Sequence, residues 1–230
     1  MTPQGILLAY LRPLWQRFSM GFYNTYILPV LIEHACAADP VRVQRQNLVP
    51  RALGQVAEIG MGTGHNLPFY DPDKVSSVVG VDPAGDMLEK ATQRAGQVAF
   101  PVEMAALSGE NLPFEDASMD TVLVTYSLCS IPDPLQALLE MRRVLRPNGR
   151  LLFAEHGAAP DEAVARWQGR LERWFWPKIA GGCHLTRRPD QLITQAGFSL
   201  EHLDRLYLPK TPKTLASIIS AVRVPDRVSP

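Results

Sequence analysis

The chain has 230 residues, of which 46% are hydrophobic and 20% are charged, a composition typical of a globular domain. Its 23 basic and 23 acidic side chains balance, so no overall electrostatic field favours a nucleic-acid partner, and we expect none. Cys36, Cys129 and Cys183 include no CxxC pair, so we expect neither a disulfide framework nor a metal site. These features predict a protein of a reducing compartment, the cytoplasm.

The N-terminal residues 1–48 are predicted to form a helical cap rich in aromatic residues, with breaks at Pro13 and Pro29. The longest uncharged stretch, residues 18–32, is too short to span a bilayer. Residues 6–15 could instead form an amphipathic helix on a membrane surface. A weak peripheral membrane association therefore stays open beside the soluble alternative.

From residue 49 to residue 230, short apolar runs alternate with amphipathic helical stretches, which predicts one domain with a parallel sheet flanked by helices. Asp133, Pro134 and Asn148-Gly149 mark the start and the end of one helix, and another spans residues 84–94. Five strands are predicted at residues 55–59, 75–81, 98–104, 121–126 and 150–155.

After the fifth strand, residues 158–185 are predicted to form a helical lid that contains Trp167, Trp174 and Trp176. Two further strands, near residues 199–206 and 216–224, are predicted to form an antiparallel pair. The expected fold is therefore α/β: a Rossmann-like, seven-stranded, mostly parallel sheet with helices on both faces, an N-terminal helical cap and a helical insertion.

A glycine-rich segment, Glu58-Ile-Gly-Met-Gly-Thr-Gly64, follows the first strand, at the edge where open α/β sheets bind ligands. Its glycines allow positive φ angles and a close approach of the backbone to a ligand. A dinucleotide fingerprint needs a further glycine where His65 stands, so a nicotinamide oxidoreductase is disfavoured.

Asp82 ends the second strand 22 residues after Gly60, where a carboxylate can accept both hydroxyls of a ribose. It could equally be the N-cap of the following helix. A third motif, Ser108-Gly-Glu-Asn-Leu-Pro-Phe114, precedes the fourth strand and is rich in turn-forming residues.

These three motifs, together with Leu145-Arg-Pro-Asn-Gly149, resemble those of class I methyltransferases, in particular the family that includes quinone-biosynthesis enzymes. The resemblance covers about residues 50–157 and implies S-adenosylmethionine as cofactor. It implies that Glu58 orders the glycine loop and that ten residues surround the cofactor: Gly60, Gly62, Gly64, Asp82, Pro83, Met87, Gly109, Glu110, Tyr126 and Ser127.

The methyl acceptor is expected to be a small molecule. Leu128-Cys-Ser130, Glu155-His156, the tryptophan-rich insertion and Gly182-Cys-His-Leu-Thr-Arg187 resemble a subgroup of methyltransferases that methylate alkyl thiols and carry a hydrophobic N-terminal anchor. A thiol suits the chemistry, because even a small thiolate fraction is a good nucleophile. A phospholipid amine, a quinone, or cofactor binding without turnover remain alternatives.

His156 is the predicted catalytic base, since the ordinary pKa of an imidazole is about 6.5. The alternative is a histidine that satisfies a buried hydrogen bond. The tryptophans of the insertion could wall an apolar pocket or simply pack against the core. The predicted substrate residues are Tyr23, Tyr26, Cys129, His184 and Arg187, although Cys129 could be only a small apolar filler.

Overall fold

The computed structural model describes residues 21–201, 203–209, 211–215 and 217–221. Its strands are β1 (Gly54–Ile59), β2 (Val75–Val81), β3 (Val102–Ala105), β4 (Met119–Thr125), β5 (Leu145–His156), β6 (Asp204–Tyr207) and β7 (Ser217–Ala221). They form one seven-stranded sheet in the order β3-β2-β1-β4-β5-β7-β6. Strands β1 to β5 are parallel to one another, and β7 is antiparallel to both β5 and β6. The antiparallel pairing of the last two strands is as predicted.

Helices cover both faces of this sheet. They are α1 (Leu28–Ala37), α2 (Asp39–Leu48), α3 (Gly85–Ala95), α4 (Pro134–Val144), α5 (Glu162–Trp174), α6 (Trp176–Ile179) and α7 (Pro189–Gln195). On β4, Val122 and Val124 belong to one hydrophobic layer and Leu123 to the other, because successive strand residues point to opposite faces. This double burial explains why three successive residues of β4, Val122 to Val124, are all apolar.

Several boundaries differ from the prediction, and β6 begins at Asp204 instead of near residue 199. Helix α4 begins as predicted, with Asp133 Oδ1 accepting a hydrogen bond from the Gln136 amide, but it ends at Val144. Leu145 is buried and already pairs with Met119, so β5 begins there, and Asn148-Gly149 forms a turn within it. Strand β3 begins at Val102, because α3 continues to Ala95 and the connection takes up the residues between.

The predicted break at Pro29 is wrong. A π-helical turn, Tyr23–Ile27, runs directly into α1, and Pro29 occupies the first turn of that helix, where its missing N–H is not needed. The chain breaks instead at Ala38, whose ψ of 141° is extended, before α2. Pro13 and the amphipathic segment of residues 6–15 lie outside the described residues.

The insertion between β5 and β6 carries α5 and α6, as predicted for the helical segment there. In the part of the chain that the structure describes, no helix is both long and apolar enough to cross a membrane.

Candidate active site

The glycine loop after β1 needs its glycines for two reasons. Gly60, Gly62 and Gly64 have φ angles of 71°, 55° and 79°, a region that other residues rarely adopt. A Cβ atom on Gly60 would also lie 2.0 Å from Ser127 Oγ. The loop therefore passes directly beneath the start of the segment that follows β4.

This loop borders a cavity of ≈ 330 Å³, a size found among small-molecule sites. The structure brings eight of the predicted cofactor residues to its wall: Gly60, Gly62, Asp82, Pro83, Met87, Gly109, Tyr126 and Ser127. Seven of them come from the ends of three parallel strands and from the loop after β3, and Met87 lies in the first turn of α3. The sequence pattern thus identifies most of one side of the cavity.

Three other predicted cofactor residues shape the cavity from behind instead of lining it. Glu58 is fully buried and accepts hydrogen bonds from the Tyr70 hydroxyl at 2.7 Å and from Asn66 Nδ2 at 2.9 Å. Burial raises the pKa of Glu58 to about 7. Gly64 packs against α3, where a Cβ atom would lie 3.3 Å from Ala91, and Glu110 accepts a hydrogen bond from the Asp133 amide at 2.6 Å.

Asp82 joins two backbone segments beside the cavity. Its Oδ2 atom accepts a hydrogen bond from the Gly62 amide and its Oδ1 atom accepts one from the Ala84 amide, both at 2.8 Å. Helix α3 begins only at Gly85 and has no side-chain cap, so the alternative that Asp82 is its N-cap is wrong. The carboxylate lines the cavity and keeps acceptor capacity for a ligand.

Helix α1 forms the opposite wall through Ile32, Glu33 and Cys36. Glu33 accepts a hydrogen bond from the Thr63 hydroxyl at 2.6 Å and from Arg94 at 2.9 Å. Burial opposes its charge, but these bonds and the nearby His65 outweigh it, so the pKa of Glu33 falls to about 2. The cap is therefore held to the glycine loop by an ionised carboxylate.

Arg45 places a buried positive charge at the cavity wall. It donates hydrogen bonds to Asn66 Oδ1 at 3.0 Å and to the Cys36 carbonyl, and its guanidinium lies 5.3 Å from the centre of the Tyr126 ring. The Tyr126 hydroxyl is buried and has no hydrogen-bond partner within the described residues. A buried cation and an unpaired hydroxyl suit a ligand that carries a carboxylate.

The two predicted tyrosines of the cap do not reach the cavity. Tyr26 is 64% exposed, and the Tyr23 hydroxyl donates a hydrogen bond to the Ile179 carbonyl at 2.6 Å. The cavity face of α1 carries Ile32, Glu33 and Cys36 instead, since Cys36 follows the other two by four and three residues, the spacings of one helix face. The cap therefore forms a wall of the cavity, but through side chains other than the two predicted tyrosines.

The tryptophans of the insertion do not form the predicted apolar pocket. Trp167 and Trp174 are 56% and 77% exposed, and neither lines the cavity. Arg170 stacks over the Trp167 ring at 5.1 Å. Of the three, only Trp176 is half-buried, and it is one of the groups that lower the pKa of the Cys183 thiol.

Cys129, His156 and Cys183 form a cluster beside the cavity. One potential ligand atom from each lies within 4.8 Å of the other two, and Cys183 Sγ is 3.9 Å from His156 Nδ1. The neighbouring Cys183 thiol, followed by burial, raises the pKa of Cys129, whereas the Cys129 thiol and then His156 lower that of Cys183. The sequence alone did not single out Cys183, because it lies 54 residues from Cys129.

The loops around this cluster are held by buried polar groups. Glu155 accepts hydrogen bonds from the Ser127 and Leu128 amides at 3.0 and 3.1 Å, and burial raises its pKa to about 8. The Arg187 guanidinium donates to the carbonyls of Leu128 and Ile131.

His184 Nδ1 lies 2.9 Å from Glu172 Oε1 on α5. Neither this ring nor the Arg187 side chain lines the cavity. The two predicted substrate residues therefore order the loops around the cavity in this structure.

Comparisons with known proteins agree with this fold. Residues 57–153 match a family described as methyltransferase domain. The chain is 40% identical over 157 residues to thiol S-methyltransferase TMT1B of Mus musculus, and this alignment covers 66% of this chain and 63% of the relative. It is 32% identical over 127 residues to phosphatidylethanolamine N-methyltransferase of Cereibacter sphaeroides, covering 51% and 62%.

Among solved structures, the YcgJ protein of Bacillus subtilis has the same fold, with a TM-score of 0.56 and 24% identity over 73% of this chain and 72% of that one. The glycine loop, the carboxylate after β2, the sheet order and the family match together support a class I methyltransferase domain with S-adenosylmethionine as its cofactor. Within that class the chain is similar to the thiol S-methyltransferases TMT1B of rat and mouse, of which it spans 61% and 63% of the length.

Proposed function

We propose that this protein transfers the methyl group of S-adenosylmethionine to the sulfur of a small alkyl thiol. The observation that carries the proposal is the cluster of Cys129, His156 and Cys183 beside the cofactor cavity, at the carboxyl ends of β4 and β5. A site built from two thiol groups and an imidazole can also accept a substrate sulfur. The similarity to thiol S-methyltransferases supports the same acceptor class.

The cavity fits the cofactor in charge and in hydrogen bonding. Asp82 offers carboxylate oxygens to the ribose, and Pro83 and Met87 offer apolar contacts to the adenine. Arg45 holds the cofactor carboxylate, because its buried guanidinium has an amide and a carbonyl as hydrogen-bond partners instead of an acid. The unpaired Tyr126 hydroxyl supplies one more donor.

When bound, S-adenosylmethionine supplies a methyl group already activated by its sulfonium. The protein aligns the acceptor sulfur and excludes water, so that the sulfur lone pair forms the new S–C bond as the old one breaks. The acceptor thiol must lose its proton first. His156 remains the predicted base, although its Nδ1 atom faces Cys183 and its ring does not line the cavity.

The test is transfer of labelled methyl from S-adenosylmethionine to matched acceptors. An alkyl thiol should yield its methyl thioether, and the alcohol with the same carbon chain should yield no product. A quinol and phosphatidylethanolamine complete the panel. Turnover of another acceptor without the thiol contradicts the proposal, and cofactor binding without any turnover supports a non-catalytic binding protein instead.

A phospholipid amine is the second candidate acceptor, favoured by the similarity to phosphatidylethanolamine N-methyltransferase. An amine nucleophile must also lose a proton on methylation. Phosphatidylethanolamine in mixed micelles tests this candidate directly, because product in that reaction alone would identify the amine as the acceptor.

The protein is further proposed to be cytoplasmic and to rest weakly on a membrane surface. Exposed apolar side chains on the π-helical turn and α1 include Phe22, Val30 and Leu31, and Trp174 and Phe175 are exposed at the end of α5. The Tyr23–Ile179 hydrogen bond joins these two regions. Such side chains can enter the interface of a bilayer.

Co-sedimentation with phosphatidylcholine vesicles tests this face. Leu31→Ser combined with Trp174→Ser should reduce vesicle binding, whereas Leu107→Ser, which removes an exposed leucine elsewhere, should not. Equal vesicle binding by the wild type, the double variant and the Leu107→Ser control would contradict the proposed membrane face.

A further inference from the structure

Three segments that are distant in the sequence bring two thiols and one imidazole together. Cys129 lies in the loop after β4, His156 is the last residue of β5, and Cys183 follows α6. Their potential ligand atoms all lie within 4.8 Å of one another, and Cys129 and His156 are largely buried. The family match covers residues 57–153 and ends before His156 and Cys183.

We propose that Cys129, His156 and Cys183 bind one Zn²⁺ ion and leave its fourth coordination position open to a thiol. Thiolate sulfur and imidazole nitrogen are preferred zinc ligands, at about 2.3 Å and 2.0–2.1 Å. Tetrahedral bonds of these lengths place neighbouring ligand atoms roughly 3.5–3.8 Å apart. The observed 3.9 Å between Cys183 Sγ and His156 Nδ1 thus needs a shift of only a few tenths of an ångström. The two distances to the Cys129 sulfur are at most 4.8 Å, so each needs to shorten by at most about 1.3 Å.

The loops that carry the ligands are held in place independently of the thiols. The His184 amide donates a hydrogen bond to the Cys129 carbonyl at 2.8 Å, which joins the segment of Cys183 to that of Cys129. Arg187 donates to the carbonyls of Leu128 and Ile131, on either side of Cys129. Such support around the ligands is typical of preorganised metal sites.

The cluster is placed beside the acceptor, because Ser130 and Gly181, close in the chain to the two cysteines, line the cavity. Three protein ligands and one exchangeable position are the arrangement of catalytic zinc sites. Only the identity of the fourth ligand rests on the proposed function, and in this arrangement His156 serves as a zinc ligand instead of as the base. A thiol bound there loses its proton to solvent, since a coordinating thiol is deprotonated, and its sulfur retains a lone pair for attack on the methyl carbon.

The metal site is tested on the full chain after reduction and treatment with a chelator, with Co²⁺ as the probe. One Co²⁺ per chain should bind with a thiolate-to-cobalt charge-transfer absorption, and Zn²⁺ should displace it. Cys129→Ser and Cys183→Ser should each weaken Co²⁺ binding on the order of 100-fold. Cys36→Ser is the matched control for metal binding and should leave the spectrum unchanged, because Cys36 is outside the cluster.

Circular dichroism and cofactor binding establish that each variant is folded. Absence of stoichiometric Co²⁺ binding to the reduced wild-type protein overturns the proposal. A charge-transfer band that persists in the double variant with Cys129→Ser and Cys183→Ser also overturns it. A disulfide between the two cysteines that forms equally well with and without Zn²⁺ does the same.

The open position is tested by adding an alkyl thiol to the Co²⁺-loaded protein. The thiol should strengthen the charge-transfer band, and the matching alcohol should not. The His156→Cys variant tests whether His156 acts as a metal ligand or as a base. If it is a ligand, the introduced cysteine supplies a third thiolate and Co²⁺ binding is kept. Loss of Co²⁺ binding in a folded His156→Cys protein counts against His156 as a ligand. Zinc binding without thiol methylation would refute only the proposed function, and undiminished thiol methylation by zinc-free protein would refute only the role of the metal.

Discussion

The carboxylate of Glu33 on α1 accepts a hydrogen bond from the hydroxyl of Thr63 in the glycine loop at 2.6 Å, across 30 residues of sequence. The same carboxylate pairs with Arg94 on α3. The helical cap and the loop beneath the cofactor are thus parts of one ionic assembly. A change in the cap is therefore expected to alter cofactor binding.

Glu33→Gln should lower the stability of the protein at pH 7 by about 1 kcal/mol, since hydrogen bonds to charged groups contribute more than neutral ones. The pKa of Glu33 is lowered to about 2, so its contribution is present above the unfolded pKa near 4.5. It is lost as the pH falls from about 4.5 to 2. Urea unfolding of wild type and variant at several pH values should show a difference that shrinks in acid.

Asp39→Asn is the control for Glu33→Gln, because Asp39 lies on the same cap but its side chain is 84% exposed and pairs only with Arg42 on the surface. Its effect should be small at every pH. A Glu33→Gln difference that is independent of pH down to 2 would contradict an ionised Glu33.

Asp82→Asn should weaken binding of S-adenosylmethionine at least about 10-fold, or 1.4 kcal/mol. An amide has only one oxygen, so its NH₂ group must face either the Gly62 or the Ala84 N–H, and one donor is left unpaired. Isothermal titration measures the affinity. Asp71→Asn, at the other end of β2 in a pair with Lys74, should bind the cofactor like wild type; equal affinity of all three proteins would contradict the role of Asp82.

Local sequence signals predicted the sheet and one side of the site. The glycines and the strand β4 follow from local spacing, and Asp82 follows from its place at the end of a predicted strand; the structure places Gly60, Gly62 and Asp82 at the cavity wall. Glu33 and Arg45 were not predicted, because their partners Thr63 and Asn66 lie 30 and 21 residues away and the contacts depend on how the cap packs. Nothing in a single sequence fixes that packing.

Arg45→Met should reduce the affinity for S-adenosylmethionine about 10-fold or more, because a charge-assisted hydrogen bond to the cofactor carboxylate is removed. The decarboxylated cofactor separates this effect from a disturbed cavity. Wild type should prefer the carboxylated form, and Arg45→Met should bind both with similar affinity. A variant that retains the wild-type preference would show that Arg45 does not contact the carboxylate.

Glu58→Gln should change how stability depends on pH. The pKa of Glu58 is raised to about 7. The stability that its protonated carboxyl contributes below the unfolded pKa is therefore lost as the pH rises from about 4.5 through 7. The loss should amount to about 3 kcal/mol in wild type and be absent from the variant. Urea midpoints at pH 5 and pH 8 measure it; parallel pH profiles would indicate that Glu58 is ionised throughout.

The π-helical turn of Tyr23–Ile27 contains one residue more than the corresponding α-helical turn, since the Leu28 amide bonds to the Tyr23 carbonyl five residues earlier. That extra residue sets the rotation between the two ends of the cap. Deleting one residue from the turn would rotate Tyr23 by about 100° relative to Glu33, the angle of a single α-helical residue. The cap could then keep either its hydrogen bond to Ile179 or its ion pair with Arg94, but not both.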